Sequence, residues 1–161
     1  MTANKPVDLT YADDLEVGAR FELAHHTVSE KELVDFASRW DPQRFHTDTQ
    51  FAYHGRFGGL IASGIHTLAI YQQLAVDGLI GRWSVIAGKS IRQVNFWQPV
   101  RPLDTLTGSI AIDKVVLERA RGLVTLSSEL VNESGTRVLT LTTDALVHRH
   151  PSVVTRSRQC D

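Results

Sequence analysis

Cysteine is nearly absent from this chain of 161 residues: the only one is Cys160, next to the last position. One thiol cannot close an internal disulfide, and a cysteine-based metal site would need more ligands. A reducing, cytoplasmic setting is therefore the expectation. Charge of either sign is not in excess, the formal net charge being −1, so there is no electrostatic footprint for nucleic acid or an anionic membrane. No apolar run is long enough to cross a bilayer. The polar residues 1–12, with Pro6 and Asp8, lack the basic start and apolar run of a secretory signal. Internal repeats, linkers and low-complexity segments are missing too. What remains is an ordinary globular composition, 42% hydrophobic and 22% charged, and a length that suits one domain over 1–161. Its last stretch, 150–161, is polar and basic and is expected to be a flexible tail.

The chain reads as helices first and strands later. Residues 1–18 look irregular, and 21–28 suit a short strand. Ser29 and Glu32 have the spacing of a capping box, with Ser29 accepting from the first turn and Glu32 reaching back. Leu33, Phe36, Ala37 and Trp40 follow at helical spacing. Asp41-Pro42 ends that helix, because the residue before proline avoids the helical region. Residues 46–63 read as loop with a short helix at Thr49–Tyr53 capped by Asp48. From Gly64 to Ile80 apolar residues cover most of a helix, leaving His66, Gln73 and Asp77 as a narrow polar stripe; this is the candidate central helix. Beyond Gly81 the period falls to two, with strands expected at 83–97, interrupted near Gly88, then 104–117, 122–132 and 136–148. Alternation is clearest at Val124, Leu126 and Leu130 and at Leu139, Leu141, Ala145 and Val147. The fold class is α+β, an antiparallel sheet wrapped around one apolar helix.

Chemistry concentrates in Asp41-Pro42-Gln43-Arg44-Phe45-His46 and in Phe57-Gly58-Gly59-Leu60-Ile61-Ala62-Ser63-Gly64. A carboxylate and an imidazole stand five residues apart in a segment that Pro42 is expected to keep from being helical. A glycine-rich approach to a helix amino-terminus follows. A proton-transfer pair beside a helix amino-terminus is what moves protons while steadying a developing oxyanion. Gly58 and Gly59 are expected to serve a tight turn. Ser63 is read as an N-cap, and His66 as a hydrogen-bonded structural histidine. Adjacent His25 and His26 on a strand point to opposite faces, and His148 and His150 make a poor ligand pair.

These segments resemble the MaoC-like, or R-specific enoyl-CoA hydratase, branch of the hotdog-fold superfamily. The likeness includes the Asp41-to-His46 spacing, the interval from His46 to Ala52, and 98–106 downstream. The resemblance implies a hotdog fold, a sheet curled around helix 64–80, and pairing of two chains into a homodimer or higher oligomer with the site near their interface. It implies hydration of an enoyl-CoA, or dehydration of a hydroxyacyl-CoA, in acyl-CoA (fatty acid) metabolism. Asp41 and His46 would be the catalytic pair, and Gly64 with Ser63 the oxyanion and substrate-binding residues. Coenzyme A would be part of the substrate; no separate cofactor and no metal is implied. Burial was expected to raise the pKa of Asp41 toward the working range. Lys89, Arg92 and Arg101 are candidates for the CoA phosphates, and Arg44 either meets an acidic acyl group or faces water.

Two positions depart from the pattern. Gln43-Arg44-Phe45 stands where the hydratases carry Asn-Pro and an aliphatic residue, and Gln72 where some members carry a helix serine. Two other functions compete: a hotdog thioesterase, for which the central helix offers only Asp77, and a non-catalytic acyl-CoA-binding subunit.

Overall fold

The protein is described by a computed structural model that covers residues 9–152; Cys160 and the end of the expected tail lie outside the described residues. Five strands, β1 (Arg20–Thr27), β2 (Val85–Phe96), β3 (Thr105–Leu117), β4 (Arg121–Val131) and β5 (Arg137–His148), form one sheet in the order β1-β3-β4-β5-β2. Every pairing is antiparallel. β3, β4 and β5 form a meander, while β1 and β2 occupy opposite edges. The chain between those edges holds four α-helices, α1 (Glu30–Trp40), α2 (Arg44–Thr47), α3 (Thr49–Tyr53) and α4 (Gly64–Gly78), and a 3-10 turn at Ile80–Arg82.

Period-two sequence becomes a two-faced sheet. Val124, Leu126 and Leu130 of β4 and Leu139, Leu141 and Val147 of β5 are buried against α4. Ser128 lies on the same face, and its hydroxyl is satisfied by Tyr71 of α4 at 2.8 Å, as a buried polar group requires. The opposite face carries Thr125, Ser127, Thr142 and Asp144, where Asp144 accepts from Arg92, Ser90 and Thr125. The expected break near Gly88 is a set of register shifts, at 85/87, 88/90 and 92/95, within a continuous strand. Extra residues of this kind bend and twist an edge strand. A sheet curled over one central helix is the hotdog architecture. None of the helices among the described residues is long and apolar enough to cross a membrane.

The two long helices differ from their sequence reading in instructive ways. In α1, Leu33 and Ala37 are buried, but Trp40 at the last turn is 72% exposed, because the chain turns away at Pro42 before anything can cover it. Ser29 accepts from the Glu32 N–H as a cap should. Glu32 in turn meets the Ser29 backbone, and its carboxylate also takes the Ser29 hydroxyl and the His26 ring. In α4 the polar stripe divides: Gln73 and Asp77 are exposed but His66 is buried, and the surface left to solvent extends through Ile65, Ala69, Gln72 and Val76. The sheet curls over one side of the helix only, so a single chain leaves this apolar stripe uncovered. At the chain's other end the tail is pinned as far as His150, whose backbone N–H meets Asp13 while its ring meets Asp14.

Candidate active site

Asp41 is the C-cap of α1, with its N–H on the Ala37 carbonyl and φ/ψ of −155°/70°, outside the helical region. Pro42 blocks continuation, but the interruption lasts only to Gln43. Residues Arg44–Thr47 form one helical turn, α2, where a non-helical loop was expected. Proline removes a donor only at its own position, so a new turn can begin two residues on. That turn swings His46 inward until its ring is 4% exposed.

The His46 ring is held through Nδ1. Nδ1 lies 2.7 Å from the Ile61 carbonyl oxygen. A carbonyl only accepts, so Nδ1 carries a proton, and in the neutral ring Nε2 presents its lone pair. Nε2 stands 3.4 Å from Asp41 Oδ2. Asp41 itself is clamped: the Gln43 side-chain amide donates to Oδ1 at 2.9 Å and the Ser63 hydroxyl to Oδ2 at 2.7 Å. The Gln43 and Ser63 hydrogen bonds hold the Asp41 carboxyl below the usual carboxylate range and outweigh desolvation. The upward shift expected from burial is thus reversed. The side chain keeps 24% exposure, and charged-form hydrogen bonds dominate.

Ser63 caps α4 as read, accepting from the Ile65 N–H at 3.2 Å. Its side chain is fully buried and its proton is directed to Asp41, so the substrate-binding role implied for it does not fit. Gly64 begins the helix, and a first-turn N–H has no intrahelical acceptor. The helix dipole favours negative charge there. A Cβ built at Gly64 would lie 2.9 Å from the Phe96 ring, so the missing Cβ makes room for an aromatic wall. Gly58, at φ 64°, turns the loop as expected. Arg101 pins that loop by donating to the Phe57 carbonyl at 2.7 Å.

His46 and Gly64 open on a cavity of about 340 Å³ walled by Phe57, Ile61, Thr67, Phe96, Trp97 and Val100. Apart from His46 the lining carries no titratable side chain. Arg44 is not part of it: its guanidinium pairs with Asp48 and lies over the Phe51 ring. Of the three phosphate candidates, Arg92 is locked on Asp144 and Arg101 on Phe57, while Lys89 is exposed on β2 and makes no ion pair among the described residues. His66 is buried but not hydrogen-bonded as expected. Its ring stacks on Phe36, Nδ1 has no partner, and Nε2 is 3.8 Å from Glu32; burial lowers its pKa.

Sequence reasoning missed the Ile61 carbonyl, the Gln43 and Ser63 contacts to Asp41, and Phe96. The first is a backbone group that no residue type announces. Gln43 was visible only as a departure, and Phe96 stands on the edge strand beside the 98–106 segment that had been noticed.

Comparison with known proteins agrees with the architecture. The MaoC like domain family matches residues 14–133. YdeM of Bacillus subtilis, itself uncharacterised, is 33% identical over 139 residues, covering 85% of this chain and 98% of YdeM. The crystal structure of a MaoC-like dehydratase from Rhodospirillum rubrum is 34% identical, with a TM-score of 0.79 over 88% of this chain and 99% of that one. The R-hydratase PhaJ1 of Pseudomonas aeruginosa shares the fold, at 21% identity and a TM-score of 0.73 over 87% of this chain and 86% of that one. With 120 of its residues matched and two relatives above 30% identity across most of its length, this chain belongs to the MaoC-like dehydratase domain family.

Proposed function

We propose that the protein adds water across the 2,3 double bond of an enoyl thioester, or removes it from the hydroxyacyl product, with coenzyme A as the thioester's carrier. The observation that carries this reading is the convergence of His46 Nε2 and Asp41 Oδ2, 3.4 Å apart, beside the unbonded N–H that opens α4. Family membership supports a hydratase or dehydratase, and the R-hydratase likeness supports the same fold for that chemistry.

The protonation states suggest the steps. Asp41 is held ionised and His46 presents a lone pair at Nε2, so the resting pair has no proton to donate. The proton that reaches C2 is therefore the one taken from water. His46 Nε2 removes it as the water oxygen bonds to C3, and the C2–C3 π electrons move toward the thioester carbonyl. Ionised Asp41 steadies the resulting imidazolium, and the Gly64 N–H meets the enolate oxygen. Nε2 then returns the proton to C2, and the pair is restored. Reversal of these steps is dehydration.

The exposed α4 stripe and the apolar residues Ile86, Ile91 and Phe96 of edge strand β2 support assembly as a homodimer, which would also shield the sheet edge. Thioesterase chemistry has less support, since Asp77 is exposed and does not line the cavity.

Loss of enoyl-thioester absorbance is the test, using short, medium, branched and carboxylated enoyl-CoAs with Asp41→Asn and His46→Gln beside the wild type. Wild-type turnover should fall by about 10²- to 10⁴-fold in each variant. No turnover with any substrate while acyl-CoA still binds would replace this reading by a binding subunit; release of free CoA thiol would replace it by a thioesterase.

A further inference from the structure

Ser63 joins the two halves of this site through a single hydroxyl. The residue is fully buried, at 0% exposure, so it does not touch a ligand in the cavity. Its Oγ–H donates to Asp41 Oδ2 at 2.7 Å, and the same oxygen accepts from the Ile65 N–H at 3.2 Å. A hydroxyl has one proton, and here it is directed to the carboxylate. The Ser63 carbonyl is anchored as well, accepting from the Thr67 N–H at 3.0 Å and the Thr67 hydroxyl at 3.3 Å. The peptide that follows this carbonyl carries the Gly64 N–H. From Asp41 Oδ2 to that N–H the path therefore runs through one hydrogen bond and one residue.

Capping alone does not require this arrangement. A cap needs an oxygen that accepts, and asparagine, aspartate or even glycine serves nearly as well as serine. Only a donor beside Asp41 adds the second contact. Gln43 makes the companion bond to Oδ1 from the exposed side.

We propose that Ser63 is a positioning residue of the hydration site: its hydroxyl fixes the Asp41 carboxylate with Oδ2 facing His46 Nε2, in register with the Gly64 N–H. The inference rests on the hydratase reading for its kinetic consequence but not for its structural one. Water approaching His46 would meet a carboxylate that cannot rotate away and that stays in register with the oxyanion donor.

Ser63→Gly and Ser63→Ala test this together. Glycine nearly preserves helix capping and alanine does not, yet both remove the donor. Each variant should lose about tenfold to a hundredfold in kcat, with KM little changed, and the acidic limb of the pH–rate profile should move upward. In ligand-free protein, the ¹³C titration of the Asp41 carboxyl, assigned with Asp41→Asn, should shift to higher pH in both variants. Ser63→Gly with wild-type kcat and an unmoved Asp41 titration would overturn the proposal and leave Ser63 as a cap only. Because the titration needs no substrate, an upward shift in a protein that turns over no enoyl-CoA would sink the hydratase reading while upholding the clamp.

Discussion

Replacing Gly64 by alanine is expected to damage the site without damaging the fold. The new Cβ would lie 2.9 Å from two carbons of the Phe96 ring and 3.1 Å from a third. Carbon atoms are at ease near 3.5–4.0 Å, so the ring must retreat by about 0.6–1 Å. The φ at Gly64 is ordinary for an L-residue, and Phe96 is half exposed on an edge strand, so it has room to swing. Stability should therefore change by less than about 1 kcal/mol, below the range for an overpacked core. Catalysis has less latitude, because Phe96 and Gly64 both line the cavity. A displacement near 1 Å there should lower kcat/KM about tenfold to a hundredfold, although the N–H at position 64 is retained. The assay is kcat/KM on the best enoyl-CoA alongside thermal unfolding, for Gly64→Ala, Phe96→Leu and the double variant. Leucine lacks the ring carbons that clash, so the double variant should recover much of the loss, a coupling that contacting residues show. Full activity in Gly64→Ala, or a double variant whose defect is the sum of the two single ones, would refute the reasoning.

Two other outcomes follow from packing and charge. Val76→Lys on the open face of α4, or Ile91→Asp on β2, should turn a dimer into a monomer in light scattering; an unchanged mass for both would rule out that face. Acid should lower stability in two steps. Burial depresses the His66 pKa, so the unfolded chain takes up that proton first, and stability begins to fall as pH drops below about 6.5. Asp41 and Asp144 are also depressed, Asp144 chiefly by Arg92 and Ser90. Their contribution is present above their unfolded pKa, about 3.9, and is lost as pH falls through the lower folded values. Denaturant titrations from pH 8 to 3 should show the first step and the onset of the second, with the first missing in His66→Leu; a first step that persists in that variant contradicts the assignment.

Elements whose order is written in short-range periodicity were legible before any coordinates. Alternating Leu139, Leu141 and Val147 marks a half-buried strand wherever it lies, and Ser29 or Asp48 caps the turn that follows it. The near-continuous apolar pattern of α4 marked the central helix, and the Asp41-to-His46 spacing marked the site by resemblance. In each case neighbouring residues carry the signal. By contrast, the polar stripe did not reveal that His66 is buried while Gln73 and Asp77 are exposed, since that depends on how far the sheet and α1 reach around the helix.

Sequence alone thus determined most of the elements and the fold class, and singled out Asp41 and His46 as the pair proposed to transfer protons. Tertiary structure alone decided how that pair is tuned. The tautomer of His46 depends on a carbonyl fifteen residues away, at Ile61, and the ionisation of Asp41 on a hydroxyl twenty-two residues away, at Ser63. The space at Gly64 is shaped by a ring from the opposite edge strand. Periodicity encodes which face of an element is apolar, whereas a pKa or a close contact is set by whichever groups folding brings within a few ångströms.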